Sequence, residues 1–213
     1  MPLCKPGELC LVARVVNAAE ARLQRLLRKV RACTVCAAHL PFPPRPVLRA
    51  GSTARLLIVG QAPGRKVQET GIPWNDPSGD RLRQWLELTR EAFYDERRIA
   101  IIPTGFCYPG KGTHGDLPPR PECAPLWHPQ LREALPHIEC TLLIGGYAQA
   151  YYLGKRAQAS LADTVRAWRE YLPEFLPLPH PSPRNVGWFK THPWFEAEVV
   201  PALRARVREL LRR

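Results

Sequence analysis

Four short apolar runs punctuate this chain and are separated by segments of helical periodicity. The runs are ARLLIVG (54–60), RIAIIPTG (98–105), CTLLIGG (140–146) and EFLPLPHP (174–181). The first three are almost continuously apolar, which is typical of strands that helices cover on both faces. We therefore expect four strands of one sheet.

Apolar residues at helical spacing fill the intervals between these runs. Strands that alternate with helices are usually joined by right-handed crossovers and form a parallel sheet. The sequence therefore predicts an α/β fold, a three-layer α/β/α sandwich with a central four-stranded, mainly parallel sheet, as one domain over residues 1–213. The predicted helices are 80–89, 124–135, a segment from Tyr147, a segment from Leu161, and a basic C-terminal helix within 190–213 that is kinked at Pro201.

A basic amphipathic helix is predicted before the first strand, with Asn17 and Glu20 as its capping box. The Pro-rich segment 33–52 follows it and cannot form regular structure, so we expect this segment to cover the domain. The apolar positions of the helix are Val15, Val16, Ala19, Leu23, Leu26, Leu27 and Val30.

The composition is that of an ordinary globular protein, with 45% apolar residues and a net charge of +12. Six cations within 14–31 and five arginines within 201–213 concentrate that charge. A polyanion such as nucleic acid would release counterions on binding to such surfaces, whereas the alternative is a merely solubilising surface. No run of eighteen apolar residues and no secretion signal occur, so we expect a cytoplasmic protein that does not enter membranes.

Seven cysteines in a cytoplasmic protein favour metal binding over a disulfide framework. Cys33 and Cys36 form a CxxC pair, and fifteen residues separate Cys107 from Cys123. Four such thiolates suit an iron-sulfur cluster or a tetrahedral zinc ion, whereas the alternative is that they are small buried side chains. We expect the remaining three to be structural: Cys4, Cys10 and Cys140.

Loops rich in glycine and proline follow each predicted strand. They are GQAPG (60–64), GFCYPGKGTHGD (105–116), GGYAQA (145–150) and HPSPRN (180–185). In parallel α/β sheets, ligands bind beyond the carboxyl ends of the strands, so these loops should converge on one site. GQAPG alone is only a turn, because it lacks the endings of phosphate-binding and dinucleotide-binding loops.

Together, GQAPG, GIPW (71–74) and HPSP (180–183) resemble the motifs of the uracil-DNA glycosylase superfamily, most closely its iron-sulfur branch. The resemblance spans about residues 33–190. It implies a monofunctional glycosylase that flips uracil out of DNA, hydrolyses its N-glycosidic bond and leaves an abasic site. The implied partner is DNA containing uracil or another deaminated base, and we expect a monomer. The alternative is a non-catalytic protein that binds uracil or damaged DNA and carries a structural metal cluster.

The resemblance also implies roles for individual residues. His180 would donate a hydrogen bond to uracil O2, Trp74 would stack on the flipped base, and Arg184 would enter the minor groove. The implied ligands of a 4Fe-4S cluster, with zinc as the alternative, are Cys33, Cys36, Cys107 and Cys123. The full set of candidates is His180, Asp76 and Gln61 for catalysis; Gly60, Ala62, Trp74 and Asn75 for the base; and Pro63, Ser182, Pro183, Arg184 and Asn185 for DNA.

The first motif departs from the family pattern because Gln61 and Ala62 supply no carboxylate to activate water. The nearest carboxylates in the sequence are Glu69, Asp76 and Asp80. Asp76 is the candidate base, although an aspartate before a proline is also typical of a helix N-cap.

The base-reading position departs as well. Pro103 stands where the iron-sulfur branch has an asparagine, so we expect selectivity to come from Asn75 or from backbone groups near Thr104 and Gly105. Trp188 and Phe189 suit either DNA contact or the core.

Overall fold

The computed structural model describes residues 6–113 and 115–212, with side chains from residue 17 onward. Its main sheet has four strands in the order β2-β1-β5-β6, and every pairing within it is parallel. The four predicted strands are confirmed, and each is shorter than its apolar run. A two-stranded antiparallel hairpin, β3 with β4, was not expected from the sequence. The strands are Leu56–Val59 (β1), Ile99–Ile101 (β2), Lys111–Gly112 (β3), Gly115–Asp116 (β4), Cys140–Ile144 (β5) and Phe175–Leu178 (β6).

Helices cover both faces of the sheet, which confirms the three-layer sandwich. Alternate residues of β1 point to opposite layers: Leu56 and Ile58 join one hydrophobic cluster, and Leu57 and Val59 join the other. The helices are Pro6–Arg31 (α1), Arg65–Thr70 (α2), Pro77–Leu86 (α3), Arg90–Phe93 (α4), Cys123–Glu133 (α5), Gly146–Leu153 (α6), Leu161–Arg166 (α7), Val186–Thr191 (α8) and Val200–Arg212 (α9).

The N-terminal helix is confirmed, but its predicted capping box is wrong. α1 begins at Pro6, so Asn17 lies inside the helix rather than at its start. Glu20 instead accepts hydrogen bonds from Ser52 N at 2.7 Å and from Gln24 Nε2 at 2.7 Å. Glu20 therefore ties α1 to the end of the Pro-rich segment. The side chains of Val15 and Val16, with Cys4 and Cys10, lie outside the described residues.

The Pro-rich segment covers the free edge of β2, in agreement with its expected role. Val47 N donates to Phe106 O at 2.7 Å, and Arg49 exchanges two backbone hydrogen bonds with Ile101. These bonds satisfy backbone groups that an open sheet edge would leave to solvent or to another chain.

The C-terminal segment is helical as predicted, but its irregularity lies before Pro201. A π-helical turn, Phe195–Val199, directly precedes α9. Pro201 has no backbone N–H to donate to the preceding helical turn. The wider π-helical turn before it is consistent with this missing hydrogen bond. Phe195 and Val199 remain buried in the core. No helix in the described ranges is long and apolar enough to cross a membrane.

Candidate active site

A cavity of about 470 Å³ opens at the carboxyl ends of the four parallel strands. All four strand-end loops contribute to its wall, through Gly60, Asp116, Tyr147 and His180. The convergence expected from the sequence is therefore confirmed. The candidate residues that line the cavity are Gly60, Gln61, Ala62, Pro63, Trp74, Asp76, His180, Ser182, Arg184 and Asn185.

Two candidates lie outside the cavity wall. Asn75 is not among the residues that line the cavity, and its Oδ1 atom accepts a hydrogen bond from Arg90 Nη2 at 3.0 Å. Its role in reading the base stays a prediction. Pro183 is exposed and begins a 3₁₀ turn, Pro183–Asn185, beside the cavity. Its contact with DNA stays a prediction.

The His180 imidazole is half-buried in the cavity wall. Burial lowers its pKa below the ordinary value, Asp76 partly opposes this effect, and Arg184 adds to it. The ring is therefore neutral at neutral pH and has one N–H to donate. Asn185 Nδ2 donates to His180 O at 2.8 Å, which fixes the backbone that carries the ring.

The rings of Trp74 and His180 are neighbours in the cavity wall. Their ring centroids are 5.6 Å apart and the planes are inclined by 33°. The indole also lies against Gly60, where a Cβ atom would approach Trp74 Cζ2 to 2.8 Å. Glycine at the end of β1 therefore makes room for the ring, and any larger residue would displace it.

The backbone of Trp74 adopts a left-handed conformation, with φ of +57°. This conformation costs a non-glycine residue about 1–3 kcal/mol, so neighbouring contacts must hold it. Arg83 Nη1 donates to Trp74 O at 3.2 Å, and Tyr94 Oη donates to Pro73 O at 2.7 Å. Gly79 is required beneath this turn, because a Cβ atom there would lie 1.7 Å from Trp74 O. These contacts position the indole in advance of any ligand.

Asp76 is both the N-cap of α3 and part of the cavity wall. Its Oδ1 atom accepts a hydrogen bond from Gly79 N at 2.8 Å. A carboxylate has a second oxygen, so the cap does not by itself prevent Asp76 from orienting a water molecule. The two other carboxylates considered from the sequence are committed elsewhere: Glu69 pairs with Arg65 and Asp80 with Arg83.

Asp116 is a second carboxylate in the wall that sequence reasoning missed. It lies on β4, and its Oδ2 atom is 3.5 Å from the position of a Cβ atom on Gly64. The hairpin also brings Gly115 close to Arg184, because a Cβ atom on Gly115 would lie 2.8 Å from Arg184 Nη1. Because β3 and β4 are only two residues each, no sequence periodicity indicated that this loop folds back onto the cavity.

The expected role of the backbone at Thr104 and Gly105 is not supported. Thr104 N donates to Gly60 O at 2.9 Å and Gly105 N to Gln61 O at 2.8 Å, so neither N–H is left for a base. Pro103 lines the cavity, and its carbonyl accepts from His128 Nε2 at 3.0 Å.

The loop that carries Arg184 is short and internally capped. Ser182 Oγ accepts from Arg184 N at 3.2 Å, and Ser182 O accepts from Arg81 Nη1 at 3.2 Å. The Arg184 side chain is exposed. Trp188 and Phe189 follow this loop and are partly buried, and they pack against the core around Trp85 and Phe195.

The four candidate cysteine ligands line one small apolar cavity of about 20 Å³. Burial raises the pKa of the Cys107 thiol to about 11 and that of Cys123 to about 12, and the neighbouring thiols add to the shift. Such a site would need a strongly electropositive group to hold thiolates. Within the described residues, no group of three or more His, Cys, Asp or Glu side chains is arranged to hold a metal ion. Cys140 is buried at the start of β5, as expected of a structural cysteine.

The chain belongs to the uracil DNA glycosylase superfamily. Its sequence matches the family model of that superfamily over residues 49–204, which includes the whole main sheet and every residue of the cavity wall except Val47. This membership supports a hydrolase of the DNA glycosylase type.

Proposed function

We propose that this superfamily member is a monofunctional uracil-DNA glycosylase, which flips uracil out of DNA, hydrolyses its N-glycosidic bond and leaves an abasic site. One observation carries the proposal: a neutral histidine (His180), a pre-positioned indole (Trp74) and a carboxylate (Asp76) line one cavity at the carboxyl edge of the sheet. These are the groups that cleavage of a base from a sugar requires.

His180 stabilises the departing base. Cleavage sends the electron pair of the glycosidic bond into the base, so negative charge accumulates on its oxygens while the sugar becomes oxocarbenium-like. A neutral imidazole has one N–H, which can donate a hydrogen bond to that oxygen. The Trp74 ring, whose centroid is 5.6 Å from that of His180, stacks on the flipped base and keeps it within reach of this donor.

Asp76 orients and deprotonates the water that adds to the sugar. The water oxygen bonds to the sugar carbon that the base leaves, and its proton passes to the carboxylate. Asp116 is the other wall carboxylate of the described chain and could serve the same step. Gln61 can hold the water by hydrogen bonds but cannot take its proton.

Arg184 fills the space that the flipped nucleotide vacates in the duplex. Its side chain is exposed beside the cavity, on a loop that Ser182 and Asn185 hold rigid. An exposed cation here also contacts phosphate, in keeping with the net charge of +12.

The test is incubation of anaerobically purified protein with a duplex that contains one uracil, followed by alkaline cleavage and detection of free base. A matched thymine duplex is the control. Release of free uracil with strand cleavage at that position supports the proposal. A retarded complex with intact DNA and no free base would refute it and favour the non-catalytic damaged-DNA-binding protein.

We also propose a 4Fe-4S cluster on Cys33, Cys36, Cys107 and Cys123, with zinc as the alternative. Two observations support it: the four side chains line one cavity, and their spacing resembles that of the iron-sulfur branch. The cluster would join the CxxC loop to the start of α5. It would also support the active site, because Gly105 lines this cavity and binds Gln61 O through its N–H.

Iron, zinc and acid-labile sulfide contents of anaerobically purified protein test this assignment. Four iron and four sulfide per chain, with visible absorbance that Cys107→Ser abolishes, support the cluster. One zinc per chain without sulfide would refute the cluster and favour a zinc site. Absence of both metals would refute any metal site. Cys140→Ser is the control, because Cys140 is buried elsewhere in the core.

A further inference from the structure

The solvent face of α6 carries no charged residue, although the protein has a net charge of +12. The buried face holds Ala148, Gln149 and Leu153. The exposed residues of this helix are Gly146, Tyr147, Ala150 and Tyr151. An exposed helix face normally bears charged or polar residues, so two tyrosines separated by small residues indicate a surface that is covered in use.

This face is continuous with the active site. Tyr147 lines the cavity, and its side chain is 45% exposed. Tyr151 follows one helical turn later at 39% exposure. Exposed Lys155 lies just beyond the helix, in the 3₁₀ turn Gly154–Arg156. Tyr147 and Tyr151 lie on one side of α6, because residues four apart share a helix face.

The geometry of the face is held rigidly. Gln149 Nε2 donates to Leu178 O at 2.9 Å, which fixes α6 to the strand that leads to His180. Tyr151 Oη donates to Ala124 O at 3.2 Å, and its ring is edge-on to Tyr152 at 5.2 Å. Tyr151 is therefore oriented before any partner arrives.

We propose that the Tyr147 and Tyr151 face of α6, together with Lys155 in the turn that follows the helix, binds unpaired bases of the DNA strand that flank the flipped nucleotide, so that the enzyme acts preferentially on single-stranded DNA. Exposed aromatic rings stack on bases regardless of sequence, and a cation at the end of the row binds phosphate. In a duplex the flanking bases are paired and cannot reach the rings. This inference rests on the proposed function and adds a strand preference to it.

The test compares kcat/KM on one uracil oligonucleotide, single-stranded and in duplex, for variants outside the cavity. Ala150→Glu places a negative charge between the rings, and Gln130→Glu on exposed α5 is the charge-matched control. Tyr151→Leu removes the ring but keeps apolar packing, whereas Tyr151→Phe keeps the ring. Because stacking contributes a factor of about 5 to 150 per base, Ala150→Glu and Tyr151→Leu should each lower single-strand kcat/KM by at least about fivefold. Duplex activity and both controls should stay unchanged.

An equal loss on both substrates, or no loss on either, would overturn the strand preference. Self-association that Ala150→Glu abolishes would assign the face to a second copy of the chain and overturn it too. If the wild-type protein is inactive on both substrates, the proposed function is refuted. The α6 face is then tested by itself through its affinity for the single-stranded oligonucleotide, measured by fluorescence anisotropy. Unchanged affinity in Tyr151→Leu would overturn the proposal, and a fivefold loss would support it.

Discussion

Asp76 offers the sharpest prediction, because its role as a helix N-cap and its role as a general base can be separated by replacing one carboxylate oxygen with an amide nitrogen. As an N-cap it accepts from Gly79 N at 2.8 Å through Oδ1, and as a wall residue it offers a carboxylate to water. Asparagine caps helices as well as aspartate does but cannot accept a proton at neutral pH. Asp76→Asn should therefore preserve the fold and lose the chemistry.

The magnitudes follow from the two roles. Loss of a general base lowers the rate by about 10²- to 10⁴-fold, and loss of an N-cap costs about 1 kcal/mol of unfolding free energy. We expect Asp76→Asn to lose at least about 100-fold in the single-turnover rate constant, with a free energy of unfolding within a few tenths of a kcal/mol of wild type. Asp76→Ala should lose the same activity and about 1 kcal/mol of stability as well.

The assay is single-turnover release of uracil from duplex DNA, with urea unfolding of each variant. Asp116→Asn is the matched control, because it removes the other wall carboxylate without a cap. Full activity in Asp76→Asn would reduce Asp76 to a cap. If Asp116→Asn were the inactive variant, the base would lie on the hairpin instead. The pKa of His180, followed by NMR, should fall further in Asp76→Asn, because the Asp76 charge raises it.

Three further predictions concern other residues. His180→Ala should lower kcat about 100-fold while duplex affinity is retained, and unchanged turnover would contradict its role as donor. Arg83→Lys should lower kcat/KM about tenfold by releasing the Trp74 carbonyl, and in a Trp74→Ala background, measured as a double-mutant cycle, it should have no further effect; additive losses would exclude this coupling. Burial lowers the pKa of His128 to about 4, so the unfolded chain takes up a proton below pH 6.5 that the folded chain does not. Stability should therefore fall by up to about 3 kcal/mol between pH 6.5 and 4, and His128→Asn, compared by urea unfolding, should have a flatter profile. Equal slopes would show that His128 is protonated in the folded protein.

The periodic parts of the sequence predicted most of the fold. The run LLIV forms β1 because every side chain is apolar and both faces of the strand are covered. The convergence of the strand-end loops also follows from the parallel sheet, because all four strands end at one edge. His180 lines the cavity for this reason, because it lies just after β6. Trp74 lines it as well but lies between α2 and α3, and the roles of both residues stay predictions.

Sequence patterns were insufficient where the direction of a side chain, or the path of a short segment, depends on which neighbouring residues it contacts. Asn75 and Asp76 are adjacent in the sequence, yet one pairs with Arg90 outside the cavity and the other lines it. Their directions depend on the left-handed turn at Trp74, which distant contacts with Arg83 and Tyr94 hold in place. No local pattern encodes such a turn at a tryptophan.

The sequence by itself determined the layer order of the fold, the site edge and the family to which the chain belongs, because periodicity and motifs are local properties of the chain. Only the tertiary structure decided which carboxylates reach the cavity, which backbone amides are already bonded, and that an uncharged helix face leads out of the site. Each of these depends on contacts between residues far apart in the sequence. Asp116 is the clearest case, since a hairpin of two two-residue strands, far from GQAPG in the sequence, brings it to the same wall.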